Sequence, residues 1–418
     1  MHYIFLYNVV NIKSDFSKLK TLIKNTKFIL IGSPYCLDKL NQTNKICFEH
    51  IHEISRNFHE IDYNEIEQIV EKYVKQYGAQ NIKLFTNEDS TQIACAKLRE
   101  KYGIVGHNTE IILPFVNKIT SKNKLKSKIK LPKFVEFNKI LYKNNKTIYL
   151  NELVVQLGGF PLFAKPIDLV SSVETHRIDD FDNLEKFATH ALSHEYDFEI
   201  DEFIDGELFH CDAMIINGKV EFFMIGKCSF ALSRFFEGKA VGSIPIIDNE
   251  LFSQIKLFNN QVFKILNCPD GAYHLELFLQ RGTQELVFLE IAARTGGALI
   301  TNVYEKVFGV NIEETNYLIQ MGLTNKVTIH QRNIYAGFLN FPYIKGVVQR
   351  IKKPDISIDH EFLEFVKPND ELYQAKNLLD ISCSIIFWDK DYNVLSQNFD
   401  LLKNYQPLEL TTNINDIS

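Results

Sequence analysis

Paired cysteines are missing from this chain. Its seven cysteines are scattered singly, with no CxxC pair and no zinc-type spacing. An odd, dispersed set reads as reduced thiols of a cytoplasmic protein. An excess of positive charge is missing too: 46 Lys and Arg stand against 52 Asp and Glu, a net charge of -6. That removes the electrostatic footprint of a nucleic-acid binder. No apolar run approaches the roughly 20 residues that a bilayer crossing needs. The opening stretch MHYIFLYNVVNIKSDF is apolar but short. It carries neither a basic leader region nor a small-residue cleavage site, so it reads as a buried first strand. Repeats and low-complexity segments are absent, and no Ser/His/Asp or Cys/His nucleophile set is evident. The expectation is a cytoplasmic protein with no nucleic-acid and no membrane partner.

What is present is the composition of a globular protein, 45% hydrophobic and 23% charged over 418 residues, enough for two or three domains. YIFLYNVV and KFILIGSP are β-rich runs separated by a polar helical segment. YNEIEQIVEKYVKQYG has helical spacing and a stop at Gly78, NIKLFTNED reads as a strand, and STQIACAKLREKYG reads as a helix ending at Gly103. Alternating strands and helices predict an α/β domain with a parallel sheet over residues 1–115. A lysine-rich stretch, NKITSKNKLKSKIKLP, then changes the character of the chain. FPLFAKPID reads as a strand, DDFDNLEKFATHALS as a helix and FEIDEFIDGELFHCDAMIING as a strand, with Asn217–Gly218 turning the chain into a return strand. Residues 116–325 therefore read as α+β and residues 326–418 as a small β-rich region.

The chemistry concentrates in HLELFLQRGTQELVFLEIAARTGG, residues 274–297. Two strands joined through a short turn carry Glu276 and Glu290. Their even spacing allows one face, subject to the register of the turn. Two such carboxylates repel unless a cation lies between them, and Mg²⁺ uses one or two carboxylates plus substrate phosphates. Arg294 offers a planar fork beside a phosphoryl group, and Gly296–Gly297 lets backbone approach an anion. The competing reading is a solvated hairpin. Lys165, in an apolar strand, is costly unless it meets an anion or snorkels to the surface.

These residues resemble the ATP-grasp superfamily, within it the carboxylate–amine ligase branch. The resemblance rests on four segments in order: REKYGIVGHNTEIILPFVNKITSK, GGFPLFAKPIDLVSSV, DEFIDGELFHCDAMIINGKV and HLELF…VFLEIAARTGG, over about residues 98–300. It implies ATP gripped by Lys118 and Lys165, and the adenine edge against the backbone of Glu202, Phe203 and Ile204. It places His210 and Asp212 near ribose or metal, and Mg²⁺ (with Mn²⁺ as the alternative ion) on Glu276 and Glu290. Arg294 and Lys165 would be the catalytic pair. The implied reaction phosphorylates a small carboxylate to an acyl phosphate that an amine attacks, and homodimers are common in the family.

Two departures stand out. The segment after Lys165, DLVSSVETHRI, has no glycine where relatives often carry a glycine-rich phosphate loop. Ser171 and Ser172 are the donors that remain there. Ala292 stands where many relatives carry an Asn metal ligand. Both departures favour an alternative, a non-catalytic ATP-binding regulatory or scaffold module. A carboxylase-type relative is a third reading, although no biotin-carrier segment is present. His274 shares a face with Glu276 and reads as packing. Arg234 and Lys239 lie in the substrate-side loop SRFFEGKAVGSIPI.

Overall fold

The computed structural model describes residues 1–55, 61–170, 172–330 and 332–411. The first four strands, β1 (His2–Tyr7), β2 (Lys27–Gly32), β3 (Phe48–Glu53) and β4 (Ile82–Thr86), form a parallel sheet in the order β3-β2-β1-β4. β1 is apolar along its length because both of its faces are covered. Phe5 packs with Phe16, Phe28 and Phe85 on one face. Ile4 and Leu6 meet Ile66 and Val70 of helix α1 (Tyr63–Tyr77) on the other. Asp62 caps α1 by accepting from the Asn64 and Glu65 amides, and Gly78 closes it at φ 78. Helix α2 (Asp89–Tyr102) ends at Gly103 in the left-handed region. The expected α/β layer is therefore present.

Helix α3 (Lys118–Leu125) leads into a second, antiparallel sheet. It is made of β5 (Phe134–Glu136), β6 (Leu162–Pro166), β7 (His176–Ile178) and β8 (Phe198–Glu202), in the order β5-β8-β6-β7. Helix α4 (Phe181–Ser193) buries Leu184, Phe187, Ala188 and Ala191 against this unit, at helical spacing.

A third, eight-stranded sheet carries β9 (Gly206–Ile216), β10 (Lys219–Cys228), β11 (Val241–Pro245), β12 (Gly271–Gln280) and β13 (Leu286–Ala292). The segment read from sequence as one strand over residues 198–218 is in fact two, β8 and β9, in different sheets. The break falls at residues 203–205, and Gly206 restarts pairing where a Cβ would sit 2.5 Å from the Leu279 carbonyl oxygen. Asn217 and Gly218, at φ 52 and 73, make the expected tight turn, and Asp270 accepts from both of their amides.

Helix α5 (Asn249–Leu266) covers one face of this sheet. Helix α6 (Ile300–Phe308) covers the other, and α7 (Ile312–Gln320) follows it. Strands β14 (Tyr335–Pro342), β16 (Asp359–Glu364) and β18 (Ile381–Asp389) join the same sheet, in the order β13-β12-β9-β10-β11-β14-β18-β16. A small sheet of β15 (Gly346–Ile351), β17 (Glu371–Leu372) and β19 (Leu408–Thr411), with helix α8 (Tyr392–Leu402), completes the described chain. No helix among the described residues is long and apolar enough to cross a membrane.

Candidate active site

A cleft of about 1280 Å³ opens between the β5–β8 unit and the eight-stranded sheet. Lys118, Lys165, Ser172, Glu202, Phe203, Ile204, Glu276 and Glu290 all line it, so eight of the residues singled out in the sequence converge. Ser171 lies outside the described residues.

Lys118 is the first residue of α3, and Asn117 caps that helix by accepting from the Thr120 amide at 2.8 Å. Its Nζ donates to the Leu169 carbonyl at 2.7 Å and lies 3.9 Å from Glu290 Oε2. Lys165, on β6, lies 3.4 Å from Glu199 and 3.5 Å from Asp201, both on β8. Its Nζ is buried yet makes no hydrogen bond. Burial opposes its charge, but Asp201 and Glu199 hold its pKa above the ordinary lysine value. A third lysine, Lys122, completes this group. Its Nζ reaches Glu199 at 3.0 Å and both oxygens of Asp201 at 2.6 and 2.7 Å. Its side chain is 0% exposed. The lysine-rich stretch hid this residue, because its neighbours look like a solvated face. Only its place one helical turn after Lys118 marks it.

Glu276 and Glu290 are direct partners across the β12–β13 hairpin, and the register shifts just beyond Glu276. The bulge brings the two carboxylates opposite each other. Burial pushes the Glu290 carboxyl up, but Lys118, Lys165 and Arg294 together hold its pKa below the usual value. Two facing carboxylates, the Lys118 ammonium 3.9 Å from one of them and a buried Lys165 ammonium that makes no hydrogen bond fit a divalent ion carrying a polyphosphate. Ala292 pairs with His274 in the register and offers no ligand.

Arg294 is not among the residues lining the cleft. Its Nε donates to Asp89 Oδ2 at 2.6 Å, and Asp89 opens α2 in the N-terminal unit. A further guanidinium hydrogen bond goes to the Thr295 carbonyl. Glu290 and Glu276 remain within its electrostatic reach. Asp89 escaped the sequence reading because the partners lie 205 positions apart.

His210 and Asp212 do not line the cleft either. Asp212 is a buried hub: it accepts from His210 Nδ1 at 2.8 Å, His274 Nδ1 at 2.8 Å and the Tyr304 hydroxyl at 2.7 Å. His274 Nε2 continues to Glu276 at 3.4 Å. Burial disfavours the His274 cation, but Asp212 outweighs it and raises the pKa to about 9. His274, read as packing, is thus part of a charged network touching a candidate metal ligand. Ser243 Oγ lies 2.7 Å from His210 Nε2, so a Ser/His/Asp series exists that the sequence did not reveal. Asp212 is shared between two imidazoles and a phenol, which suits holding the network in place.

A second cavity of about 220 Å³ lies beyond His210 and Ser243, walled by Phe223, Met224, Ile300, Val303 and Phe338. Ile244 lines both this cavity and the cleft. The His210 ring lies over Gly226, where a Cβ would come within 2.1 Å of Nε2.

The cleft thus gathers two facing acids and two lysines between an antiparallel sheet and the eight-stranded sheet. Residues 125–305 match the family model described as D-ala D-ala ligase C-terminus. An L-arginine-specific L-amino acid ligase of Bacillus subtilis is 26% identical over 325 residues, covering 75% of this chain and 71% of that protein. A D-alanine–D-alanine ligase of Legionella pneumophila (strain Corby) is 29% identical over 163 residues, 36% of this chain and 44% of the relative. The crystal structure of an L-amino acid ligase from Bacillus licheniformis superposes with a TM-score of 0.75 at 16% identity, covering 99% of this chain and 98% of that one. An N5-carboxyaminoimidazole synthetase from Staphylococcus aureus, complexed with ADP, gives 0.65 at 12% identity, with 96% of each chain covered. These structural likenesses concern the fold.

Proposed function

We propose that the chain is an ATP-dependent ligase that activates a small carboxylate as an acyl phosphate and joins it to an amine. ATP occupies the cleft, its adenine against the 202–204 connection and its phosphates toward Lys118, Lys165 and Ser172. The Glu202 and Phe203 amides already donate to the Lys133 and Pro161 carbonyls, which stiffens that connection. Glu276 and Glu290 would hold Mg²⁺, which would supply charge neutralisation to the polyphosphate. The substrate carboxylate attacks the γ-phosphorus. Arg294, steadied by Asp89, stabilises the transferring group electrostatically. The amine then attacks the acyl carbon, and phosphate leaves. The protein's share is positioning and charge stabilisation, as in phosphoryl transfer generally. His210 and Asp212 act on this reading through His274, fixing Glu276, and do not touch the nucleotide.

The 220 Å³ cavity takes the substrate's side chain. It exceeds the roughly 150 Å³ that admits benzene, and its walls are mostly apolar apart from His210 and Ser243, so an aliphatic or aromatic side chain fits.

The observation that carries this reading is Lys165: a buried ammonium with no hydrogen bond, in a cleft that also holds Glu276, Glu290 and Lys118. The test is phosphate release from ATP across pairs of amino acids or small carboxylates and amines. Release should need both partners, and Glu290→Gln should abolish it. Near-normal turnover in that variant rejects the site. The alternative, a nucleotide-binding module without turnover, is favoured by Ala292 and by the Arg294–Asp89 pairing. ATP binding with no amine-dependent release would establish it.

A further inference from the structure

A second group of ligand-type side chains sits on the β5–β8 unit, apart from the acids of the cleft. Glu174 precedes β7, His176 lies on β7 and His190 lies on α4. One carboxylate oxygen and one nitrogen from each imidazole come within 4.8 Å of one another. His190 Nε2 is 2.7 Å and His176 Nε2 is 3.7 Å from the same Glu174 oxygen, Oε2. The two imidazole centroids are 4.8 Å apart.

Glu174 is the charged neighbour of both rings. Both Nε2 atoms are shut off from solvent, and neither makes a hydrogen bond. His190 Nε2 is close enough to Glu174 to bond, yet the ring does not aim at it. Three ligand atoms are thus gathered within 4.8 Å of one another with both ring nitrogens left without a hydrogen bond. Ring nitrogens shut off from water and left without a hydrogen bond are costly, and an ion shared with the Glu174 carboxylate would satisfy both. Glu174 also sits at φ 54, a backbone region unfavourable for a residue with a side chain. Such conformations persist where the surroundings demand them.

We propose that Glu174, His176 and His190 form a divalent transition-metal site, best suited to Zn²⁺. Two imidazole nitrogens and one carboxylate oxygen match zinc's ligand set, with a fourth position left for water. Mg²⁺ and Ca²⁺ prefer oxygen ligands and suit the site poorly. His194 packs at 4.1 Å on the His190 ring, and its Nδ1 bonds to the His190 carbonyl at 2.9 Å, so it supports the site without ligating. The site's position gives it a role. Val170, Ser172, Val173 and Thr175 line the nucleotide cleft, and Glu174 belongs to the same glycine-free segment. An ion bridging Glu174 to α4 staples that segment to the body of its unit and limits how far it can move over the phosphates. The metal binding itself does not depend on the ligase reading.

The test uses the full chain, stripped with a chelator and titrated with Zn²⁺ alone, without ATP or amino acids. Binding is read by calorimetry and by competition with a chromogenic chelator, and Co²⁺ substitution reports the ligand set by its visible spectrum. Wild type should bind tightly. Glu174→Gln and the double variant His176→Ala/His190→Ala should each weaken binding by at least about tenfold, the low end for losing even a supporting group at a metal site. Hydrogen exchange over residues 172–178 should slow with Zn²⁺ in the wild type only. The glutamine variant keeps the side-chain volume, so a folding failure of the double variant does not blunt the test. Failure of wild type to bind Zn²⁺, or equal affinity in wild type and both variants, overturns the proposal.

Discussion

Replacing Lys122 by Met tests the electrostatics beneath the candidate phosphate site. Lys122 and Lys165 face Glu199 and Asp201, two positive charges against two negative, at 2.6 to 3.5 Å. The side chains of Lys122 and Glu199 are 0% exposed. Methionine keeps the apolar stem, so lost packing costs under about 1.5 kcal/mol. The larger cost comes from the net negative charge left where solvent does not reach. Breaking a buried pair from one side costs about 3–5 kcal/mol. Amide exchange in β6 and β8 should therefore accelerate about 10²- to 10⁴-fold if those amides exchange through opening of this unit. Lys165 becomes the sole cation for two carboxylates and is drawn toward them, so KM for ATP should rise. Adding Glu199→Gln restores neutrality and should recover more than half of the loss. A single variant within about 1 kcal/mol of wild type, or a double variant that loses the sum of both single effects, refutes the reasoning.

Asp89→Asn removes the charge that holds Arg294. A hydrogen bond between charged groups is worth about 1.5–3 kcal/mol, so kcat for phosphate release should fall about 10- to 150-fold with KM for ATP little changed; an unaltered kcat contradicts the role given to Arg294. Gly226→Ala puts a Cβ against the His210 ring, so KM for bulky apolar substrates should rise more than KM for alanine-sized ones, and equal effects argue against the cavity as the side-chain pocket. His274 has a folded pKa of about 9 against an ordinary 6.5. The proton is bound more tightly in the folded state, so the stabilisation is fully present below pH 6.5 and is lost as pH rises through 9. The span is worth about 3 kcal/mol, and urea titrations across that window should lose this slope in His274→Gln.

The parts of this protein that local pattern dictates were legible in its sequence. β1 is apolar on both faces because it is central in a parallel sheet, and Gly78 and Gly103 end helices as expected. Glu276 and Glu290 pair as their even spacing allowed, but the bulge that aligns them is a property of the hairpin. What escaped involved distant partners. Asp89 reaches Arg294 from another sheet's helix, and nothing near either residue announces the other. Lys122 looks like one lysine among many until β8 supplies two acids to bury it. His210 and Asp212 do share a face, as alternation requires, but that face meets α6 and the second cavity, so they support the site from behind. The strands after residue 326 read as a separate tail because β11 gives no local sign that its other neighbour comes from there.

That last pairing has a consequence for the chain's birth. β11 ends at Pro245, and its partner β14 does not begin until Tyr335. On a ribosome adding about 5–20 residues per second, the free border of β11 waits on the order of ten seconds for its neighbour. For that interval the nascent sheet offers open amides and carbonyls to any extended segment nearby, the condition that invites mispairing. The distal strands thus act as a late-arriving seal, and a message truncated before them would release a polypeptide with the nucleotide cleft's acids and lysines already made but the platform beneath them unfinished.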